Sequence, residues 1–294
     1  MKFFILDVFA ETKLSGNQLA VFLDPDKLST HQMQRIAQEM HYSETTFVNS
    51  RVRQNKGYNV RIFTPETELP FAGHPTLGTA YIIQSQVIRR PVPEVRLNMK
   101  AGQIPVRFTY SGKKPKILWM RQRSPKFGKR YQPGPVADFL NLDESDLAAR
   151  FPVQDVSTGV PFLIVPLKGL EAIKRAKLDR DKYLEFAKNT ESNIVLVFCA
   201  ETYRSENDLN VRVLIPSSGI TEDAATGSGN GCLAAYLVHY KYMKGEKIDL
   251  RVEQGYEIGR KSLLLLRAGP APSGIEVNVG GMVHFIAEGD FVRP

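Results

Sequence analysis

Two stretches of this 294-residue sequence share a build that suits chemistry on an anion. FAGHPTLGTAYII at 71–83 and ATGSGNGCLAAYLV at 225–238 each set glycine, histidine, proline or small hydroxyl residues ahead of an almost wholly apolar run. An α-helix starts with backbone N–H groups that have no partner inside the helix, and with the positive end of its dipole. Small residues there let an anion approach the backbone closely. Two such helix starts facing one cleft would hold a carboxylate and stabilise negative charge developing on a substrate, as an enolising isomerase or racemase requires. Taken singly, Gly73, Gly227, Gly229 and Gly231 suit tight turns or close packing equally well; their matched placement in both stretches favours the site reading.

Other chemistries find less support. The histidines, at 31, 41, 74, 239 and 284, show neither H-x-x-x-H nor H-E-x-x-H spacing, and Cys199 and Cys232 form no C-x-x-C, so no metal site is expected. GSGNG lacks the lysine of a phosphate-binding loop and falls out of register with G-x-G-x-x-G. There is no G-x-S-x-G elbow, and Lys168 and Lys174 sit among polar neighbours rather than in the apolar surroundings of a Schiff-base lysine. Acids, histidine and hydroxyls remain.

The elements that position these residues repeat. SGNQLAVFL (15–23) aligns with STGVPFLIV (157–165), Gly16 over Gly159, and VRIFTP (60–65) with VRVLIP (211–216). The two helix openers follow in both halves, and LNMKAGQI (97–104) then lies over LRVEQGYE (250–257), Gly102 over Gly255. Matches in one order with slowly growing offsets predict two homologous domains, 1–128 and 129–294, with a C-terminal strand able to return to the first; RSPKFGKRYQPGP (123–135) reads as the linker. In the first half, FFILDVFA and LAVFL suit strands. A helix should follow, with Ser29 and Gln32 as its capping box, Leu28 and Met33 as its staple, and Met33, Ile36, Ala37 and Met40 as one apolar stripe. Pro75 suits the first position of the next helix, with His74 as its cap. From Thr76 to Ile83 that helix is apolar on nearly every side and must be buried on nearly every side. The fold class is therefore α+β, each domain a mixed sheet or open barrel wrapped around one central helix.

A hydrophobic fraction of 43% with 24% charged residues is that of a globular protein, and no run is long enough to span a bilayer. MKFFILDVFAETK is broken by Asp7, lacks a cleavage pattern and reads as a first strand. Both cysteines lie among apolar residues, as reduced thiols do, and imply a cytoplasmic protein. The net charge of +8 is concentrated in residues 111–131, which hold eight lysines and arginines and no acid. That segment carries Trp119, Phe127 and Tyr131, but no nucleic-acid-binding motif accompanies it, and a solvated basic face is the expectation.

SGNQLAVF, YSETTFV, IFTPETELPFAGHPTLGTAY and EDAATGSGNGCLAAYLVHY together resemble the phenazine-biosynthesis isomerase (PhzF-like) family, within the diaminopimelate epimerase-like superfamily, over nearly the whole chain. The resemblance implies two repeated domains with the active site between them, a homodimer, and a cofactor-free isomerase acting on a small carboxylate or amino-acid-like molecule. It implies that Glu44 is the catalytic acid–base and that Gly73, His74, Asp223 and Ser228 share the site, His74 and Asp223 as catalytic residues and Gly73 and Ser228 binding substrate; the helix-start reading adds Gly227 and Gly229 to the substrate-binding residues. In the phenazine enzyme the glutamate moves a proton along the conjugated system of dihydro-3-hydroxyanthranilate, giving an enol that becomes a ketone. Tyr42, Thr45, Thr46 and Phe47 around Glu44 offer the partial shelter from water that such a carboxyl needs. The superfamily's epimerases use two opposed cysteines; here Cys232 lies inside its helix without a counterpart in the first half. An amino-acid epimerase with another substrate, and a binding protein that kept the cleft and docks through 111–131, are the alternative readings.

Overall fold

A computed structural model describes residues 1–25, 28–216, 220–272 and 274–292. The chain divides into two compact units, Met1–Arg121 with Gly280–Pro294, and Gln122–Val279. No helix of the described residues is long and apolar enough to cross a membrane.

The first unit contains β1 (Lys2–Val8), β2 (Asn17–Leu23), α1 (Thr30–Met40), β3 (Glu44–Val48), β4 (Tyr58–Phe63), β5 (Glu68–Leu69), α2 (Gly73–Ile82), β6 (Glu94–Met99), β7 (Gly102–Ser111), β8 (Lys114–Arg121) and, from the chain's end, β18 (Val283–Asp290). β1 pairs antiparallel with β18 and β2, and β2 runs parallel to β3. β4 is antiparallel to β3 and β5 and parallel to β6, after which β6, β7 and β8 form an antiparallel meander. Nine of the ten residues of α2 are buried. An element without a polar face has to be surrounded, and α2 packs against β1, β2, β3, β6, β7, β8 and β18. α1 is amphipathic instead. Ser29 and Gln32 form a reciprocal capping box at its start, and Met33, Ile36 and Ala37 turn into a cluster with Phe22, Phe47 and Phe63, with Leu28 against it.

The second unit contains β9 (Lys126–Tyr131), α3 (Pro133–Phe139), β10 (Val153–Ser157), β11 (Pro161–Pro166), α4 (Leu170–Arg175), α5 (Arg180–Ala187), β12 (Val195–Cys199), β13 (Leu209–Leu214), β14 (Glu222–Asp223), α6 (Gly227–His239), β15 (Ile248–Gln254), β16 (Ser262–Ala271) and all but the last two residues of β17 (Gly274–Gly281). Its pairings repeat those of the first unit. β9, β10 and β11 are antiparallel neighbours, β11 runs parallel to β12, β13 is antiparallel to β12 and β14 and parallel to β15, and β15 is antiparallel to β16. The buried helix α6 packs against β10, β11 and β16.

The repeat reaches individual side chains. Arg61 on β4 donates twice to Glu68 on β5, both bonds 2.8 Å, and Arg212 on β13 donates twice to Glu222 on β14, at 3.1 and 2.7 Å. The same clamp thus precedes both central helices.

Two local expectations are revised. Residues 123–135 are not a linker: Lys126–Tyr131 is strand β9, with Phe127 beside Val156 and Tyr131 beside Val153, and Pro133 opens α3. The unit boundary therefore falls at Arg121–Gln122, and β18 belongs to the first unit through its pairing with β1. His74 is likewise not a cap. α2 begins at Gly73 with Ala72 as its N-cap, so His74 and Pro75 are its second and third residues.

All four aligned glycines hold positive φ, 71° at Gly16, 137° at Gly159, 112° at Gly102 and 76° at Gly255. At Gly16 a Cβ would also lie 2.4 Å from the Val8 carbonyl oxygen. Gly16→Ala is expected to lose roughly 1–2 kcal/mol to the left-handed backbone and about 1–3 kcal/mol to the clash. Urea unfolding of the variant reads the sum.

Candidate active site

Glu44 is the first residue of β3, opposite Leu19 on the parallel strand β2, and its side chain is 15% exposed. Its Oε2 lies 3.3 Å from His74 Nε2. The other ring nitrogen of His74, Nδ1, is 3.2 Å from the Asn17 side-chain nitrogen, at the start of β2. An amide nitrogen only donates, so Nδ1 accepts where this contact is made. Burial pushes the His74 pKa down to about 3, against a smaller opposing contribution from the Gln18 backbone. The imidazole is therefore neutral near pH 7, and the contact joins a carboxyl to an uncharged ring instead of forming an ion pair. A carboxyl in such a sheltered place, beside a ring that stays uncharged, is suited to take up and release a proton itself. Gly73 stands beside it as the first residue of α2, whose start has no side-chain cap.

In the second unit Asp223, the last residue of β14, is 9% exposed and accepts a 2.6 Å hydrogen bond from the Thr226 hydroxyl. Thr226 is the N-cap of α6, yet its side chain makes no capping bond because it serves Asp223. Gly227 and half-buried Ser228 are the first two residues of the helix. Gly229 is explained by packing: a Cβ there would meet Phe162 at 3.0 Å and Leu196 at 3.2 Å. Burial pushes the Cys232 thiol up to about 12, and its neighbour at 3.6 Å is the Thr158 hydroxyl. A thiol so strongly protonated is a poor proton acceptor.

Matching the repeat position by position shows how the candidate residues are distributed between the units. His74 and Ser228 are both second residues of their helices. Glu44 precedes Thr45, which pairs with Phe63; the matching position precedes Val195, which pairs with Leu214, and is Ile194. Asp223 pairs with Val213 where Leu69 pairs with Ile62. The first unit thus carries the glutamate and histidine, and the second the aspartate and serine. Asn17 lies within SGNQLAVF and Thr226 within EDAATGSGNGCLAAYLVHY, whereas Gln254 belongs to no recognisable motif. Among the described residues, no three His, Cys, Asp or Glu side chains gather as metal ligands would.

A mixed sheet built around a buried central helix, and built twice, is the diaminopimelate epimerase-like fold. A hydroxyproline epimerase from Agrobacterium vitis shares it, with a TM-score of 0.67 at 10% identity over 98% of this chain and 90% of that one. Within that fold class, residues 6–289 match the model of the phenazine biosynthesis-like (PhzC-PhzF) family, and the chain belongs to that family and is an isomerase. It is 33% identical to the trans-2,3-dihydro-3-hydroxyanthranilate isomerase of Pseudomonas aeruginosa over 95% of this chain and 96% of that one. The crystal structure of a PhzF-family phenazine biosynthesis protein from Bacillus anthracis matches with a TM-score of 0.90 at 26% identity, covering 99% of both chains.

Proposed function

We propose that the protein is a cofactor-independent isomerase in which Glu44 moves a proton between two carbons of a small, unsaturated, amino-acid-like carboxylate, chemistry similar to that of trans-2,3-dihydro-3-hydroxyanthranilate isomerase. The observation that carries this reading is the Glu44 carboxyl 3.3 Å from a buried imidazole whose pKa burial lowers to about 3. The carboxylate removes a proton from one carbon, the electron pair moves along the conjugated system, and the carboxylic acid returns the proton to another carbon. Substrate and product are isomers, so no electron acceptor enters the balance. His74, 3.3 Å from the carboxyl and neutral, brings no charge that would hold Glu44 in one protonation state through the cycle. Asp223 orients the substrate's amine or hydroxyl, and Ser228 with the first N–H groups of α6 receives its carboxylate, as a helix start and a hydroxyl are suited to do. Gly73 and Gly227 leave room at the two helix starts. The working form in this reading is a cytoplasmic homodimer.

The test is a panel in deuterated buffer: dihydro-3-hydroxyanthranilate, cyclic diene carboxylates and common amino acids, each followed by mass spectrometry. Carbon-bound deuterium in one cyclic unsaturated carboxylate, together with its isomer, is the expected result. Exchange only at the α-carbon of saturated amino acids would replace this reading with an epimerase.

A further inference from the structure

Gln254, the last residue of β15, is completely buried. Its four hydrogen bonds all end on the segment that opens α6. Oε1 accepts from the Thr226 backbone N–H at 3.1 Å and from Asn230 Nδ2 at 2.8 Å, while Nε2 donates to the Asp223 carbonyl at 2.9 Å and to Thr226 Oγ1 at 3.0 Å. The amide has one possible orientation, because a backbone N–H can only donate and a carbonyl can only accept. Thr226 Oγ1 therefore receives a hydrogen from Gln254, and its own single proton is directed to Asp223 Oδ2, 2.6 Å away. The hydroxyl is thus a relay that accepts from the amide and donates to the carboxylate.

The repeat shows that packing does not demand this amide. Tyr58 pairs with Leu97 and Leu209 with Val252, so the residue two further along is Met99 in the first unit and Gln254 in the second. Side-chain contacts agree. Thr76, the fourth residue of α2, bonds back to the Ala72 carbonyl at 2.6 Å and touches Met99 Sδ at 3.8 Å; Asn230, the fourth residue of α6, bonds back to the Thr226 carbonyl at 3.1 Å and bonds Gln254. Where the first unit has the apolar residues Leu69 and Met99, the second has Asp223 and Gln254. A buried amide is costly unless every bond is made, and here the amide and the carboxylate occur together.

We propose that Gln254 is a positioning residue for the reaction, acting on Asp223 through the Thr226 hydroxyl. This rests on the substrate-orienting role assigned to Asp223 above. The variant Gln254→Met gives the second unit the first unit's side chain at similar volume. It should lower kcat/KM for the panel's substrate by about 10–100-fold, the scale of misplacing a group that holds substrate. In an Asp223→Asn background the same change should cost less than about threefold, because groups acting as a unit are not additive. An equal factor in both backgrounds would make Gln254 merely structural and overturn the proposal.

A second readout does not need turnover. In protein carrying carbon-13 at aspartate carboxyls, the Asp223 resonance, identified by its loss in Asp223→Asn, should move in Gln254→Met and in Thr226→Val and stay in place in Thr226→Ser. A resonance unmoved by Thr226→Val overturns the relay. A resonance that moves as expected while Asp223→Asn leaves turnover unchanged would instead overturn the role of Asp223 in the proposed function.

Discussion

Replacing Glu44 by glutamine should lower kcat by about 10²–10⁴-fold, the contribution of a positioned general acid–base, and leave the protein folded. The argument rests on where the side chain sits. β3 is held on one side by β2 and on the other by β4. Thr45, Thr46, Phe47 and Val48, which follow Glu44 along the strand, are buried and anchor it. Glu44 itself keeps some exposure, and glutamine, of nearly the same size and shape, fits the same space. It cannot take up a proton. The expected pattern is a collapse in kcat with unfolding free energy changed by no more than about 1 kcal/mol, the range of substitutions that create no cavity or buried charge. A parallel loss of stability and activity would show that Glu44 supports the fold instead.

Stability should fall on acidification well before most carboxylates titrate, and His74 is the reason. Its folded pKa, about 3, is below the ordinary 6.5 because burial disfavours the charged ring. The unfolded chain therefore binds a proton between these values that the folded chain refuses. By linkage, unfolding free energy rises with pH across that window: the stabilisation is complete above about 6.5 and is lost progressively as pH falls toward 3. At about 1.4 kcal/mol per pH unit the full loss is roughly 5 kcal/mol, comparable to the whole stability of a marginal domain. His239, lowered by desolvation and then by Arg130, contributes in the same direction, but from an exposed position where solvent screens it. Glu68 acts in the same sense at lower pH: its carboxyl is held down first by Arg61, so its stabilisation is lost as that carboxyl protonates. His74→Asn should flatten the curve between pH 6.5 and 4.5 while leaving the deeper acid limb. Denaturant titrations at half-unit pH steps measure both.

What the sequence discloses of this molecule follows from the range of the interactions involved. The capping box of α1 and the burial of α2 are local or periodic, and Ser29, Gln32 and the uncharged run after Thr76 suffice to read them. The repeat is legible because strand order and turn glycines recur. It blurs where a turn changes length: the matching of Gly102 with Gly255 places LNM over LRV, whereas the strand pairings place Leu97 over Val252. The connection after β15, residues 255–261, is longer than the two residues between β6 and β7, which absorbs the difference. β9 is hard to read because it holds a glycine and is flanked by prolines, and its pairing with β10 comes from residues more than twenty positions away. His74 resembles a cap from its neighbours alone; only its contacts with Asn17 and Glu44, brought in from β2 and β3, reveal its different surroundings. Gln254 is the extreme case. Nothing within RVEQGYE announces a residue that directs a threonine proton onto an aspartate, since all its partners lie between 223 and 230.

Because kcat can be limited by product release, the central claim is best tested on the carbon–hydrogen bond itself. The measurement is loss of deuterium from dihydro-3-hydroxyanthranilate labelled at the carbon that surrenders its proton, followed in ordinary water by mass spectrometry with wild-type protein and Glu44→Gln side by side. Rapid loss with the wild type and a rate at least about 10²-fold slower with the variant is the predicted outcome. Equal rates in the two proteins would contradict the assignment of Glu44 as the group that moves the proton.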